Sequence, residues 1–118
     1  MRHDRLYLDD IADAADAIKY FLVDTSEADF LASDLLQSAV LQKLLIIGEA
    51  AARISPELKI KLPEVPWSRI VAFRNMAVHA YFSVEWPIVW TAATEEAPLL
   101  RAQILPLLVD GSDTEESL

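Results

Sequence analysis

Apolar residues recur every three to four positions along most of this chain. Leu8, Ile11, Ala15, Ile18 and Leu22 follow that spacing, with Asp9, Asp10, Asp13 and Asp16 on the other faces. The period predicts an amphipathic helix from about Asp4 to Val23. Thr25 or Ser26 is placed to cap a short second helix through Phe30 and Leu31. Ser33 caps a long third helix, Asp34 to about Ile54, which is apolar nearly all round from Leu35 to Ala51. Such a helix needs cover on more than one side, and a second copy of the chain is expected to supply part of it. Ser55-Pro56-Glu57 reads as a fresh helix start, with proline at the first helical position. Leu62 to Pro66 is the clearest loop. Trp67-Ser68 opens a main helix running to about Phe82, with Ser68 as its cap, and Trp86-Pro87 opens another to about Ala97. Pro98 starts or kinks the last helix, Leu99 to Val109, whose end Pro106 is expected to distort. Residues 110–118 form an acidic tail, expected to be disordered. The reading is a single all-α domain over residues 1–109, a bundle of four to five main helices with short connections.

Composition removes several kinds of chemistry. The 118 residues contain no cysteine, so disulfides, thiolate metal sites and cysteine catalysis are excluded. Two glycines, Gly48 and Gly111, cannot build a GxGxxG or P-loop phosphate cradle. Two histidines, His3 and His79, exclude a His-rich metal site within one chain, so neither metal nor cofactor is expected. Fully apolar runs such as Leu44–Gly48 are far short of the roughly 20 residues of a membrane span. The acidic start lacks a signal sequence's apolar stretch, and the expectation is a soluble cytoplasmic protein with no membrane partner.

The net charge of −9 argues against nonspecific binding to nucleic acid, but the charge is unevenly spread. Residues 1–42 carry −6, residues 82–118 carry −6, and residues 43–81 carry +3. That basic island is either a solvated mixed face or a local site for anions.

The island holds the one constellation with reactive chemistry. Arg74, Asn75, His79 and Tyr81 lie within eight residues of an otherwise apolar helix. On an ideal helix Arg74 and His79 diverge by about 140° around the axis, with Trp67, Val71 and Val78 forming an apolar strip between them. Two copies packed along that strip by a two-fold axis would bring both Arg–His pairs to one cleft. Histidine titrates near neutral pH, so it can take the 2′-hydroxyl proton of RNA or protonate the leaving 5′-oxygen. Arginine's fork of N–H donors matches a phosphate and stabilises the charge of a phosphorane. Asn75 is placed to orient His79 or to donate to a phosphate oxygen. The competing structural reading pairs Arg74 with an acid, leaves His79 a surface histidine and packs Tyr81 with its hydroxyl in water.

Arg74-x4-His79-x-Tyr81, with Asn75 directly after the arginine, resembles the signature of HEPN-domain ribonucleases. More closely it is similar to the HepT-like toxins of bacterial toxin–antitoxin pairs. The resemblance spans nearly the whole chain: Asp10 to Ala14, Ile47-Gly48-Glu49-Ala50-Ala51, Pro66-Trp67-x-x-Ile70, the motif itself, and Val84 to Trp90. Ala80 stands where many relatives carry glycine, a change to another small residue. The resemblance implies a HEPN-like helical bundle, homodimeric, with a cleft shared between protomers. It implies metal-independent endoribonuclease action on RNA, leaving 2′,3′-cyclic phosphate ends. It also implies an MntA-like minimal nucleotidyltransferase antitoxin that transfers AMP from ATP onto the motif tyrosine. Carried over residue by residue, Arg74 stabilises the phosphorane, His79 is the general acid/base, Asn75 is auxiliary and Tyr81 accepts AMP. An adenylate there would add bulk and negative charge that repel an RNA phosphate. The alternative from another class is a catalytically weak HEPN module whose role is to bind the nucleotidyltransferase.

Three features outside the motif complete the reading. Gly48 is suited to close helix approach, and Glu49 to an ion pair with Arg53 four residues on, or to a place in the cleft. Trp86 and Trp90 share a helix face and suit packing more than base stacking. Lys43, Lys59, Lys61 and Arg69 are candidates for steering RNA.

Overall fold

A computed structural model describes residues 2–109; the 110–118 tail lies outside the described residues. Seven α-helices account for most of them: α1 (Arg2–Phe21), α2 (Glu27–Leu31), α3 (Asp34–Arg53), α4 (Pro56–Lys61), α5 (Trp67–His79), α6 (Trp86–Thr91) and α7 (Ala97–Val109). A 3-10 turn, Tyr81–Ser83, follows α5, and a π-helical segment, Ala92–Glu96, joins α6 to α7. The described residues contain no strand, as the alternation-free pattern predicts.

Serines start three of the helices. The Ser26 hydroxyl accepts from the Asp29 N–H, and the Asp29 carboxylate accepts from the Ser26 N–H, closing a reciprocal capping box. Ser33 caps α3 through Leu36, and Ser55 caps α4 through Leu58 with Pro56 at the first position. Ser68 does not cap α5: the helix begins one residue earlier, at Trp67, and Pro66 holds the cap position without a side-chain bond. The Trp67 indole instead donates to the Leu62 carbonyl at 3.2 Å, which anchors the start of α5 to the preceding loop.

The core is built on α1 and α3, and Ile11, Ile18 and Val40 are wholly buried there. Asp4, at the start of α1, accepts from the Ser55 N–H at 2.8 Å and the Ser55 hydroxyl at 2.6 Å, just past the end of α3. That tie makes the two long helices antiparallel. It also places a carboxylate at the N-terminus of α4, where helix N–H groups favour negative charge. α5 packs on the other side of α3, and α7 returns along α1. α3 has the length and mean hydropathy of a membrane-crossing segment. The fold uses it as the central core helix, covered by α1, α2 and α5 of its own chain. Within the chain, residues such as Val40, Leu41, Leu44 and Ile47 are buried, while Leu35 stays exposed.

Two departures from the sequence pattern shape the site. α5 ends at His79 rather than Phe82, because Ala80 leaves helical geometry (φ −138°, ψ 52°). No glycine or proline marks that break, so periodicity ran through it. The last helix starts at Ala97, with Pro98 in its first turn. The chain runs continuously from α6 into α7 through a π-helical turn just before Pro98. A proline clashes with the carbonyl four residues back and cannot donate to it, and the wider turn relieves both. There the Thr94 hydroxyl donates to the Trp90 carbonyl at 2.8 Å. Pro106 sits inside α7 without ending it.

α3 and α5 cross at Gly48. A Cβ at residue 48 would overlap the Arg74 Cβ and lie 2.9 Å from its Cγ. These atoms are close to the α5 backbone and cannot swing aside, so only glycine permits this approach. Gly48→Ala is expected to destabilise the fold by about 1–3 kcal/mol through overpacking, less the roughly 1 kcal/mol that alanine gains over glycine in a helix. Denaturant unfolding measures the net loss; a more stable variant would contradict the crossing.

Candidate functional site

The motif residues gather at the C-terminal end of α5 and the turn after it. Arg74 lies at the Gly48 crossing, half-buried, with its guanidinium held on two sides. One terminal nitrogen donates to the Asn75 side-chain carbonyl at 2.7 Å, and the other donates to Oε1 of Glu49 on α3. Arginine has five N–H donors, so the fork retains capacity for a phosphate. Asn75 thus bonds to Arg74 and not to His79 in this structure, with its amide NH2 making no side-chain hydrogen bond.

Glu49 is the centre of a small charge cluster. Its Oε2 accepts from Arg53 Nε at 3.1 Å and from a terminal Arg53 nitrogen at 2.9 Å. The Arg53 hydrogen bond, then the nearby Arg74 charge, hold the Glu49 carboxyl below its ordinary range. Glu49 keeps Arg53 protonated in turn, with a further contribution from Tyr7 on α1. Two guanidiniums share one carboxylate, leaving a net positive cluster.

His79 is the last residue of α5. It is exposed, and its side chain makes no hydrogen bond among the described residues. On the helix it lies about 140° around and about 7.5 Å along from Arg74. A single chain therefore presents the two groups on different faces of α5. Tyr81 sits in the 3-10 turn instead of continuing α5. It is 46% exposed, with its ring edge-on to Phe82 at 5.4 Å. The helix break turns Tyr81 out of the register an unbroken α5 would have given it.

The apolar strip predicted between Arg74 and His79 is only partly a surface. Trp67 is 7% exposed and belongs to the core, and Val71 packs against it, while Val78 is 49% exposed. The wet apolar patch lies further along, at Val78, Tyr81 and Phe82, the last 99% exposed. Trp86 and Trp90 pack on the buried Phe30 ring instead of facing a ligand. A separate apolar groove of about 500 Å³ runs between α5 and α6–α7, floored by Leu44 and Ile47 and flanked by Ile70 and Phe73. It contains none of the motif residues.

The sequence placed Arg74, Asn75, His79 and Tyr81 near one another, and its competing structural reading gave Arg74 an acidic partner and left His79 at the surface, as the structure shows; it did not identify Glu49 as that acid. Its signal was the Gly48-Glu49 pair within an apolar helix. The Arg53 partner was legible as an i,i+4 pair, whereas the Arg74 partner is 25 residues away and required the crossing.

Comparison with known proteins agrees with the motif. Residues 11–107 match the family described as Ribonuclease HepT-like. A protein of Thermococcus cleftensis named as a probable ribonuclease HepT is 37% identical over 97 residues, covering 82% of this chain and 88% of that protein. A Methanocaldococcus jannaschii protein named as a candidate RNase is 30% identical over 100 residues, covering 85% and 92%. A similarly named protein of Caldanaerobacter subterraneus is 32% identical over 108 residues, covering 92% and 96%. No solved structure matches the chain at a significant level. With the family match running from residue 11 in α1 to residue 107 in α7, and the Arg-x4-His-x-Tyr string at the end of α5, this chain belongs to the HepT-like ribonuclease family.

Proposed function

We propose that the protein is the toxin of a bacterial toxin–antitoxin pair, a metal-independent endoribonuclease working as a cytoplasmic homodimer. The observation that carries this reading is the end of α5. There an arginine restrained by Glu49 and Asn75 stands one turn and a half from an exposed histidine with no protein partner. In this reading His79 takes the proton of an RNA 2′-hydroxyl. The oxygen attacks the adjacent phosphorus, and Arg74 and the Asn75 amide hold the phosphorane oxygens. The protonated His79 gives a proton to the leaving 5′-oxygen, which releases a 5′-hydroxyl end and leaves a 2′,3′-cyclic phosphate.

One protomer spreads Arg74 and His79 around α5, so a second copy supplies the opposing pair. The exposed apolar residues Val78 and Phe82 beside His79 are the surface that favours it. Tyr81, exposed with no hydrogen bond on its hydroxyl among the described residues, is accessible for transfer of AMP by a minimal nucleotidyltransferase antitoxin. An adenylate there sets negative charge beside the phosphate site.

The test is cleavage of total cellular RNA by the purified, unmodified protein in EDTA, with the product ends analysed and the mass measured by sedimentation. A dimer that leaves 2′,3′-cyclic phosphate ends supports the reading. Activity lost on chelation removes the metal-independent mechanism. A folded dimer that does not cut shifts the assignment to a module that binds the nucleotidyltransferase, which the net charge of −9 favours over RNA.

A further inference from the structure

We infer that Glu49 is a positioning residue for Arg74, acting through the α3–α5 crossing. This rests on the ribonuclease reading only for the reaction that Arg74 serves. The crossing brings the two helix backbones together at Gly48, because a side chain there would overlap Arg74. Glu49, the next residue, is thereby held within reach of the guanidinium from the neighbouring helix. Its two oxygens have separate tasks. Oε1 takes Arg74, and Oε2 takes both donors from Arg53 on its own helix. Arg53 thus fixes the carboxylate, and the carboxylate fixes the arginine. Asn75 holds the other terminal nitrogen of Arg74, so the fork is restrained at both tips and its plane is defined.

The electrostatic sign makes the role testable. A carboxylate next to a phosphate-binding arginine repels RNA, so for binding alone the acid is unfavourable. Its benefit lies in holding the fork ready, so that no reorganisation is needed as charge develops on the phosphorane. The Arg53 hydrogen bond and the Arg74 charge hold the Glu49 carboxyl below its ordinary range, which favours the charged form that grips the fork. Glu49→Gln keeps the shape and one acceptor but removes the charge. Being at a partly exposed site, it is expected to leave folding intact.

The experiment compares the parent, Glu49→Gln and Arg74→Ala. Single-turnover RNA cleavage is read beside binding of a 2′-O-methyl RNA of the same sequence, which cannot cyclise. Glu49→Gln is expected to slow cleavage about tenfold or more while binding the blocked RNA as tightly as the parent or tighter. Cleavage at parental rate overturns the positioning role. A parallel fall in rate and binding also overturns it, showing a general structural contribution. Side-chain nitrogen NMR of the Arg74 guanidinium reads positioning without any activity. Separate terminal-nitrogen signals in the parent that merge in Glu49→Gln support restraint by Glu49, and merged signals in the parent overturn it. Failure of the ribonuclease reading is distinguishable: the parent does not cut, or Arg74→Ala cuts like the parent, whatever the NMR shows.

Discussion

His79→Ala is expected to lower the rate of RNA cleavage by about two to four orders of magnitude, the usual contribution of a positioned general acid or base. The other histidine, His3, belongs to α1, whereas His79 shares α5 with Arg74, five residues after it. No neighbouring side chain hydrogen-bonds to it, so the substitution removes the group without leaving a buried partner unpaired. The unfolding midpoint should therefore stay near the parent's, and the loss should be in the chemical step. A rate within about threefold of the parent would remove His79 from the reaction. Coexpression offers an independent readout: growth arrest caused by the parent should disappear with the variant, whereas a module acting by partner binding alone would lose nothing.

Phe30→Ala carries the largest expected loss of stability. The Phe30 side chain is fully buried, and its ring packs edge-on to Trp86 at 6.2 Å and tilted against Trp90 at 5.4 Å. It is the apolar pin between short α2 and α6. Truncating a buried phenylalanine costs about 3–5 kcal/mol, through lost transfer energy and the cavity left behind. A domain of this size has a total stability of about 5–15 kcal/mol, so the change consumes a large share of it. Chemical denaturation should show the midpoint falling with little change in slope. A loss below about 1 kcal/mol would mean that Trp86 and Trp90 close over the space. Arg74 and His79 belong to α5, which does not touch Phe30 in the aromatic cluster. Under conditions where the variant is still folded, cleavage should persist, and this separates a folding defect from a catalytic one.

The elements were largely legible because their signals are local. Apolar spacing of three to four, and serine followed by a helix-compatible run, report what one helix does with its own neighbours. α1, α3 and α4 fell where the pattern put them within a residue or two. The errors arose where no local signal existed. The end of α5 at His79 has no glycine or proline to mark it, and the π-helical segment before Pro98, which keeps the chain helical from α6 into α7, has no local signal either. Trp67 was read as part of a wet strip because helix geometry assigns a face but cannot say what covers it. Covering that face required the Leu62 carbonyl and the core beneath α5.

For the site, the sequence by itself determined which groups are present and their order: an arginine, an amide, a histidine and a tyrosine within eight residues, on an all-α chain with no cysteine. It also determined the family, because that string with its flanking helices is specific. Only the tertiary structure decided how the groups are held. Glu49 and Arg74 are 25 residues apart and meet because Gly48 lets two helices approach. Asn75 turns to Arg74, and the break after His79 directs Tyr81 outward. Spacing along one helix fixes angle and rise, whereas contact between helices depends on which side chains are small enough to let backbones close and which charges then find each other across the gap.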